Sequence, residues 1–452
     1  MTFVESSGKF SLTQSIEQTK LKFERARPGF IAAEDGGFSE FLARAKKSNS
    51  SQSRRRLVLD VTGILQVKSL TGIQRVILSL ARCFKSSMNE GGIRVAFAAF
   101  DGRSFREVQL VDANANVAPF GFLVLNTSFV FLHGDSLILA EPKLRGVEEF
   151  FVTIARLRRA GLRIVSVVHD LQPILDTAYG NAISEAFLVW WSQALRHSDM
   201  MVTVSRKVAR DIACYVSVTS MLGLTPTRKL PVAYFRLGCD ALVSKGEGTP
   251  NSGLPADLET FYTVGTLFAY KGQFAVMTAM ESLWAEGIKA KLVLVGMDLF
   301  RQAERMSLRA HPAFGALLFM PGYLPDAELA HALSRCGALI AASRYEGFGL
   351  PLVEAAALGC PVIARDIEIF QETSGGRAYF FADGGPEEIA NSLRIWLKLT
   401  REQQLGYVPK ESLITWRESA RMLQAIILEE ASSFSMDVGV EATLNLATSA
   451  EI

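Results

Sequence analysis

From residue 57 onward, short apolar runs alternate with segments whose apolar residues recur at helical spacing. The segment "GIQRVILSLARCF" is of the second kind, with Ile73, Val76, Leu80 and Phe84 on one face. The runs that predict strands in this first half are "RLVLDV", "IRVAFAAF", "FVFLHGD" at residues 129–135, "RIVSVVHD" and "MMVTVS". Near-continuous apolar strands separated by helices are typical of a parallel sheet that is covered on both faces.

A segment rich in glycine and proline, residues 240–258, interrupts this alternation and indicates an interdomain linker. The strand-like runs after it are "TFYTVGTL", "KLVLVG", "ALLFMPGY", "GALIAAS", "PVIA" and "AYFFA". The pattern predicts an α/β protein of two Rossmann-like, doubly wound domains, residues 57–239 and 259–414, that face a central cleft. Residues 1–56 are predicted to be an N-terminal extension that ends in a basic linker, and residues 415–452 a C-terminal helix and tail. Open α/β sheets bind ligands beyond the carboxyl ends of their strands, so the cleft is the expected site.

Composition narrows the classes of function. The 452 residues carry a net charge of +2, which gives no general attraction to nucleic acid. The five cysteines show no paired spacing, which favours a reducing compartment and argues against a zinc site or a disulfide framework. No apolar run reaches the ~18 residues of a membrane span, and the N-terminus lacks a signal peptide's apolar stretch. We therefore expect a cytoplasmic protein, and the basic linker leaves open a peripheral contact with the inner face of the cytoplasmic membrane.

The most informative stretch is "SRYEGFGLPLVEAAALG", residues 343–359, which continues from the apolar run "GALIAAS". Gly347 and Gly349 precede a predicted helix, and accessible backbone N–H groups at a helix start favour a phosphate or diphosphate. Glu354, about one turn into the helix, suits a ribose diol, and Glu346, in the loop, suits the hydroxyls of a sugar ring. The stretch therefore indicates a nucleotide sugar, although glutamates are also common in the first turn of any helix.

This stretch is similar to the signature of two glutamates separated by seven residues in retaining GT-B glycosyltransferases of family 4. The resemblance is closest to bacterial mannosyltransferase-like members that build polysaccharides. Further segments between about Leu57 and Trp416 resemble the family's motifs in the same order: "LDVTGI…TGIQRV", "VVHDLQP", "VTVSRKVARDI", "VGTLFAYKG", "PGYLPDAELAHAL" and "PVIARDIEIFQE". The resemblance implies the GT-B fold, with an acceptor-binding N-terminal domain and a nucleotide-sugar-binding C-terminal domain.

The resemblance also implies roles for individual residues. The expected catalytic residues are Lys271, which would neutralise the departing diphosphate, Glu346, which would hold sugar hydroxyls, and His169, which would contact the donor sugar. The alternatives are an exposed lysine at a helix start and a satisfied core histidine. Ser205 is expected to cap the helix that follows it. The expected donor-binding residues are Gly72, Gly265, Thr266, Lys271, Tyr323, Gly347, Phe348, Gly349, Leu350, Glu354 and Arg365.

One cation of the family is missing from this sequence. Many relatives carry an arginine at the position of Thr266, and others at the position of Tyr270, but neither position is arginine here. A diphosphate leaving group carries more negative charge than Lys271 alone balances, so a further cation is expected in the cleft.

Two arginines are candidates for this cation. Arg365 directly follows the strand-like run "PVIA", which places it at a carboxyl edge; the alternative is a structural pair with Asp366 or Glu368. Arg75 lies off the apolar stripe of its helix, one turn from Gly72, and could approach from the opposite domain. Its alternative is a solvated helix face.

The expected reaction is the retaining transfer of mannose or a related hexose from a nucleotide-diphosphate sugar. The expected acceptor is a glycan or lipid-linked glycan in the synthesis of a surface polysaccharide such as lipopolysaccharide. No Asp-x-Asp motif appears in a suitable loop, so no metal is expected, and the donor is a substrate rather than a cofactor. Two alternatives stay open: an enzyme like the nucleotide-sugar 2-epimerases of the GT-B fold, and a non-catalytic GT-B subunit that binds a partner or glycan.

Overall fold

The computed structural model contains two lobes, each built around its own β-sheet. It describes residues 56–67, 70–87, 94–111, 119–175, 181–221, 230–243, 253–298, 302–410, 413–429 and 436–437. The predicted N-terminal extension, apart from Arg56, lies outside the described residues, as do most of the predicted tail and the middle of the predicted interdomain linker. No helix within these ranges combines the length and the apolar character that crossing a membrane requires.

The N-terminal lobe has a nine-stranded sheet with a parallel centre. Its strands are β1 (Arg56–Asp60), β2 (Arg94–Phe100), β3 (Phe105–Leu110), β4 (Phe122–Ser128), β5 (Ser136–Leu139), β6 (Arg163–Val168), β7 (Met200–Thr203), β8 (Pro231–Tyr234) and an edge strand at Met436–Asp437. The order is edge strand, β8, β7, β6, β5, β1, β2, β3, β4. The six strands from β8 to β2 are parallel, whereas β3, β4 and the edge strand pair antiparallel.

Amphipathic helices cover both faces of this sheet. They are α1 (Gly72–Ser87), α2 (Val147–Arg159), α3 (Gln172–Leu175), α4 (Asn181–His197) and α5 (Arg206–Met221). Leu57 and Leu59 of β1 pack into one apolar core with α1, whereas Val58 between them packs into a second core with α2. This alternation follows from the two-residue repeat of a strand, and it explains why the run reads as continuously apolar.

The C-terminal lobe has a six-stranded, entirely parallel sheet in the order β11, β10, β9, β12, β13, β14. The strands are β9 (Thr260–Val264), β10 (Lys291–Val295), β11 (Leu318–Gly322), β12 (Ala338–Ala341), β13 (Val362–Arg365) and β14 (Tyr379–Phe381). The helices are α6 (Gln273–Ala285), α7 (Gln302–Arg309), α8 (Asp326–Leu333), α9 (Leu350–Ala357), α10 (Glu368–Ser374), α11 (Pro386–Trp396), α12 (Arg401–Leu405) and α13 (Trp416–Glu429).

The last of these helices, α13, crosses back to the N-terminal lobe, where it packs against α1. The backbone N–H of Trp416 donates to Asp240 Oδ1 at 2.7 Å. The chain passes so close to Gly238 that a Cβ there would lie 2.3 Å from the Trp416 nitrogen. The helix therefore ties the two lobes together after the second sheet is complete.

The strand predicted at Phe129–Asp135 is wrong. This segment is a loop between β4 and β5, and the central strand of the sheet is the following run, "SLIL". Gly134 has a φ of 84°, and the Asp135 carboxylate accepts a hydrogen bond from the Leu132 N–H, so the chain turns here. The two antiparallel strands β3 and β4 were also missing from the purely parallel prediction.

Both sheets have a point where the strand order reverses. In the N-terminal lobe it lies between β1 and β5, and in the C-terminal lobe between β9 and β12. Ligands of doubly wound sheets bind at such switch points, beyond the carboxyl ends of the strands. Two hydrogen bonds join the lobes across segments that follow carboxyl ends of strands, Arg75 to Glu354 and Ser205 to the Gly347 carbonyl, so both switch points face one cleft.

Candidate active site

The loop between β12 and α9 has the strand–loop–helix form predicted for "RYEGFG". Gly349 is the N-cap of α9 with a φ of 89°, a backbone conformation that favours glycine. A Cβ on Gly349 would also lie 2.9 Å from the Phe370 ring. Both the backbone conformation and this neighbouring ring therefore favour glycine at position 349. Pro351 occupies the first turn of α9, as predicted, where its missing N–H costs no helical hydrogen bond.

Gly347 is glycine for a different reason, the close approach of the opposite lobe. A Cβ at this position would lie 1.9 Å from the carbonyl oxygen of His169. Ser205 Oγ donates a 2.7 Å hydrogen bond to the Gly347 carbonyl, also across the cleft. The same Oγ accepts the N–H of Val208, so Ser205 also caps α5, as predicted. The lobes therefore meet at the loop that carries Glu346.

Lys271 and Glu346 form an ion pair at the C-terminal switch point. The Lys271 Nζ lies 2.6 Å from Glu346 Oε1, and Ser343 Oγ donates to the same oxygen at 2.7 Å. The two partners are 75 residues apart in the chain, and both side chains are largely buried. Lys271 belongs to a 3-10 turn, Ala269–Lys271, just before α6 rather than to the helix itself. The two predicted catalytic side chains therefore meet, beside a narrow cavity of about 20 Å³.

The His169–Asp170 loop follows β6 and faces Glu346 from the other lobe. His169 Nε2 donates to the Ala140 carbonyl at 2.8 Å, and burial lowers the pKa of the imidazole to about 4, so the ring is neutral at pH 7. Burial raises the pKa of Asp170 to about 6, and the Lys271 charge opposes this rise. The imidazole is therefore bound to its own lobe, while the backbone of His169 contacts Gly347.

A larger cavity opens next to the Lys271–Glu346 ion pair. Its volume of about 310 Å³ is at the lower end of the range for small-molecule sites. One wall is apolar and consists of Val264, Val295, Met297, Leu324 and Leu329. The predicted donor-binding residues that line the cavity are Gly72, Gly265, Thr266, Tyr323, Leu350 and Glu354. Lys271, Glu346 and Gly349 line the narrow cavity. The structure thus brings most of the predicted donor site together from separate parts of the chain.

Glu354 is almost fully buried in the larger cavity and pairs with Arg75 of the opposite lobe. Arg75 Nη2 lies 2.7 Å from Glu354 Oε1 and 3.8 Å from Asp326 Oδ1. Burial raises the pKa of Glu354 to about 7, which the positive charge of Arg75 partly offsets. Arg75 therefore reaches the cleft, and the alternative of a solvated helix face is wrong.

Arg365 lines neither cavity, so its predicted contact with the diphosphate stays a prediction that its position does not support. The guanidinium is buried, donating to Asp383 Oδ1 at 2.7 Å and to the Ala342 carbonyl at 3.0 Å. Its acidic partner differs from the Asp366 or Glu368 considered from the sequence. Phe348, also predicted to bind the donor, packs its ring into the apolar core and lines neither cavity.

Sequence reasoning missed a polar cluster at the N-terminal switch point. Gln74 Nε2 donates to Glu141 Oε2 at 2.9 Å, and Gln74 Oε1 accepts the N–H of Thr71, which lines the larger cavity. Burial raises the pKa of Glu141 to about 7 and also raises the pKa of nearby Asp60. Asp60 ends β1 and Glu141 follows β5, so the misplaced central strand concealed this juxtaposition.

Two doubly wound lobes whose switch points share one cleft define the GT-B class of glycosyltransferase folds. Solved structures of similar fold are sucrose-phosphate synthase from Thermosynechococcus elongatus and the pneumococcal O-GlcNAc transferase GtfA. The first is 17% identical, with a TM-score of 0.55 over 83% of this chain and 99% of that one. The second is 12% identical, with a TM-score of 0.55 over 84% of this chain and 99% of that one.

Residues 245–407 match the family model "Glycosyl transferases group 1". The chain is also 30% identical over 391 residues to the serotype-specific mannosyltransferase WbdA of Escherichia coli. That match covers 83% of this chain and 47% of the relative, so the chain spans about half the length of the curated relative.

Proposed function

We propose that this protein is a retaining glycosyltransferase of family 4. It would transfer mannose or a related hexose from a nucleotide-diphosphate sugar to a glycan or lipid-linked glycan in lipopolysaccharide or another surface polysaccharide. The observation that carries the proposal is the meeting of Lys271 and Glu346 at the switch point, next to a cavity that holds Glu354. The choice of mannose draws on the mannosyltransferase name of the relative WbdA.

The donor would occupy both cavities. The nucleoside fits the larger one, where the apolar wall would pack against the base and Glu354 would accept hydrogen bonds from the ribose hydroxyls. The diphosphate would lie at the start of α9, where the backbone N–H groups and the helix dipole favour an anion. This arrangement directs the sugar toward Lys271 and Glu346.

The proposed chemistry follows from the negative charge that develops on the departing diphosphate. In a front-face reaction the acceptor hydroxyl attacks the anomeric carbon as the bond to the diphosphate breaks, and its proton passes to the departing phosphate oxygen. Lys271 would stabilise the growing charge on that phosphate. In the structure Glu346 accepts hydrogen bonds from Lys271 and Ser343. When the donor binds, hydrogen bonds from sugar hydroxyls would replace some of these. We propose that the reaction needs no metal, because Lys271 and the start of α9 supply the positive charge.

The acceptor would approach from the N-terminal lobe. The cluster of Asp60, Gln74 and Glu141 lies at the carboxyl edge of that sheet, where its oxygens could bind acceptor hydroxyls. A lipid-linked acceptor would bring the protein to the inner face of the cytoplasmic membrane, so peripheral membrane contact belongs to this proposal as well.

The test is turnover of GDP-mannose and a panel of UDP-hexoses, with and without oligosaccharide acceptors. A transferase releases nucleoside diphosphate and forms a glycoside, and nuclear magnetic resonance of the product reports whether the anomeric configuration is retained. An epimerase-like enzyme would instead release a free isomerised sugar without acceptor, and a binding subunit would release nothing. Lys271→Ala is the control for contaminating activity.

A further inference from the structure

Arg75 is the only cationic side chain among the described residues that line the larger cavity. It extends from α1 of the N-terminal lobe and meets two carboxylates of the other lobe, Glu354 at 2.7 Å and Asp326 at 3.8 Å. One guanidinium thus faces two acidic groups before any ligand is bound. An incoming diphosphate would add further negative charge to this environment, which is unfavourable unless a cation moves toward it.

The other two cations considered as partners for the diphosphate, Lys271 and Arg365, are paired with other groups outside the larger cavity. Lys271 lies beside the narrow cavity with its Nζ at 2.6 Å from Glu346. Arg365 is buried against Asp383 and lines neither cavity. Arg75, by contrast, is on a helix that begins at Gly72, where a Cβ would meet nothing within 4 Å, so there is room beside the start of this helix.

We propose that Arg75 exchanges partners when the donor binds. Its guanidinium leaves Glu354 and binds the donor diphosphate from the N-terminal lobe, and the freed carboxylate accepts the ribose hydroxyls. This inference rests on the proposed function, since it assumes a nucleoside diphosphate in the larger cavity. The exchange replaces one charge-assisted contact of arginine by another, and a planar guanidinium can bind phosphate through two parallel hydrogen bonds.

The exchange couples donor binding to the contact between the lobes. The diphosphate would be held by the start of α9 on one side and by Arg75 on the other, so it would bridge the cleft. A ligand without the second phosphate would benefit less from Arg75. The contribution of Arg75 should therefore depend on the number of phosphates, and it should persist when Glu354 has lost its charge.

The experiment is calorimetric titration of the full chain with GDP, GMP, UDP and UMP. The variants are Arg75→Ala, Arg75→Lys, Glu354→Gln and the double variant Arg75→Ala/Glu354→Gln. Arg82→Ala is the matched control, because Arg82 is exposed on the same helix two turns further along and outside both cavities. Thermal unfolding of every variant verifies that each is folded.

We expect Arg75→Ala to weaken binding of the diphosphate that the wild type binds by at least about tenfold, and the monophosphate much less. Arg75→Lys should lose less, since it keeps the charge but not the planar fork. A loss at least as large should appear when Arg75→Ala is made on top of Glu354→Gln, because Glu354 then no longer competes for the guanidinium, and Arg82→Ala should bind like the wild type.

Four results would overturn the exchange. If Arg75→Ala has no further effect in the Glu354→Gln background, Arg75 serves only to neutralise Glu354. If mono- and diphosphates lose affinity equally, the guanidinium does not bind the second phosphate. If the wild type binds none of the four nucleotides, both the proposed function and the exchange fail. If Arg75→Ala binds the diphosphate as tightly as the wild type does, the exchange fails but the proposed function stands.

Discussion

Replacement of Gly347 by alanine tests whether the observed contact between the lobes is the one in which transfer occurs. The new Cβ would lie 1.9 Å from the His169 carbonyl oxygen, whereas ordinary contact begins at 3.4 Å. The backbone on both sides is the obstacle, so the lobes must separate by about 1.5 Å, because close-packed interiors cannot absorb such an overlap. Glu346 is the neighbouring residue and would move with the loop.

The consequence should appear in turnover more than in donor affinity. A displacement of ~1 Å at a reacting centre lowers rates by ~100-fold, so we expect a loss of roughly that size in Gly347→Ala. Loss of the hydrogen bond from Ser205 to the Gly347 carbonyl should reduce the free energy of unfolding by about 1 kcal/mol. Nucleoside-diphosphate affinity should change less than turnover, because the larger cavity is lined mostly by the C-terminal lobe.

The assay compares donor turnover, nucleotide affinity and chemical denaturation for wild type, Gly347→Ala and Gly385→Ala. Gly385 is an exposed glycine at the start of α11 with a φ of −80° and nothing within 4 Å of a new Cβ, so it controls for a glycine-to-alanine change alone. Turnover of Gly347→Ala within about twofold of the wild type would mean that transfer takes place with the lobes further apart than observed, and the reasoning would be refuted.

The remaining predictions concern the charges of the cleft. Lys271→Ala should lower turnover at least about tenfold in steady-state kinetics, because a charge that stabilises the leaving group is lost; near-normal rates would remove Lys271 from the mechanism. The pKa of Glu354 is raised to about 7, so nucleotide affinity should fall as the pH drops through 7 and the carboxylate is protonated. Calorimetry should find this pH dependence absent in Glu354→Gln, and its persistence there would contradict the assignment. Glu346→Ala should spare nucleoside-diphosphate affinity and impair transfer, and the opposite pattern would mean that the two glutamates have exchanged roles. Saturating chelator should leave turnover unchanged, and a loss that added metal restores would contradict the metal-free proposal. Glu141→Gln should raise the KM for acceptor while donor hydrolysis stays as in the wild type, and unchanged acceptor kinetics would remove Glu141 from the acceptor site.

The sequence by itself determined the class of fold and the position of the central loop. Hydrophobic periodicity is a local property, so it revealed the alternating strands and helices of both lobes, and glycine and proline marked the turn at "EGFGLP". The same local information indicated Glu346, and the resemblance to a known family indicated Lys271. It failed at Phe129–Asp135, because a short apolar run in a loop has the same pattern as a buried strand.

Only the tertiary structure decided which of these residues meet. Arg75 and Glu354 are 279 residues apart and pair because two lobes close on each other, a relation that no local pattern encodes. A carbonyl group from the other lobe restricts position 347 to glycine, and the buried Arg365 pairs with Asp383, 18 residues further along the chain. Such pairings depend on how the lobes approach and on which charges burial forces together, so they follow from the packed molecule and not from spacing along the chain.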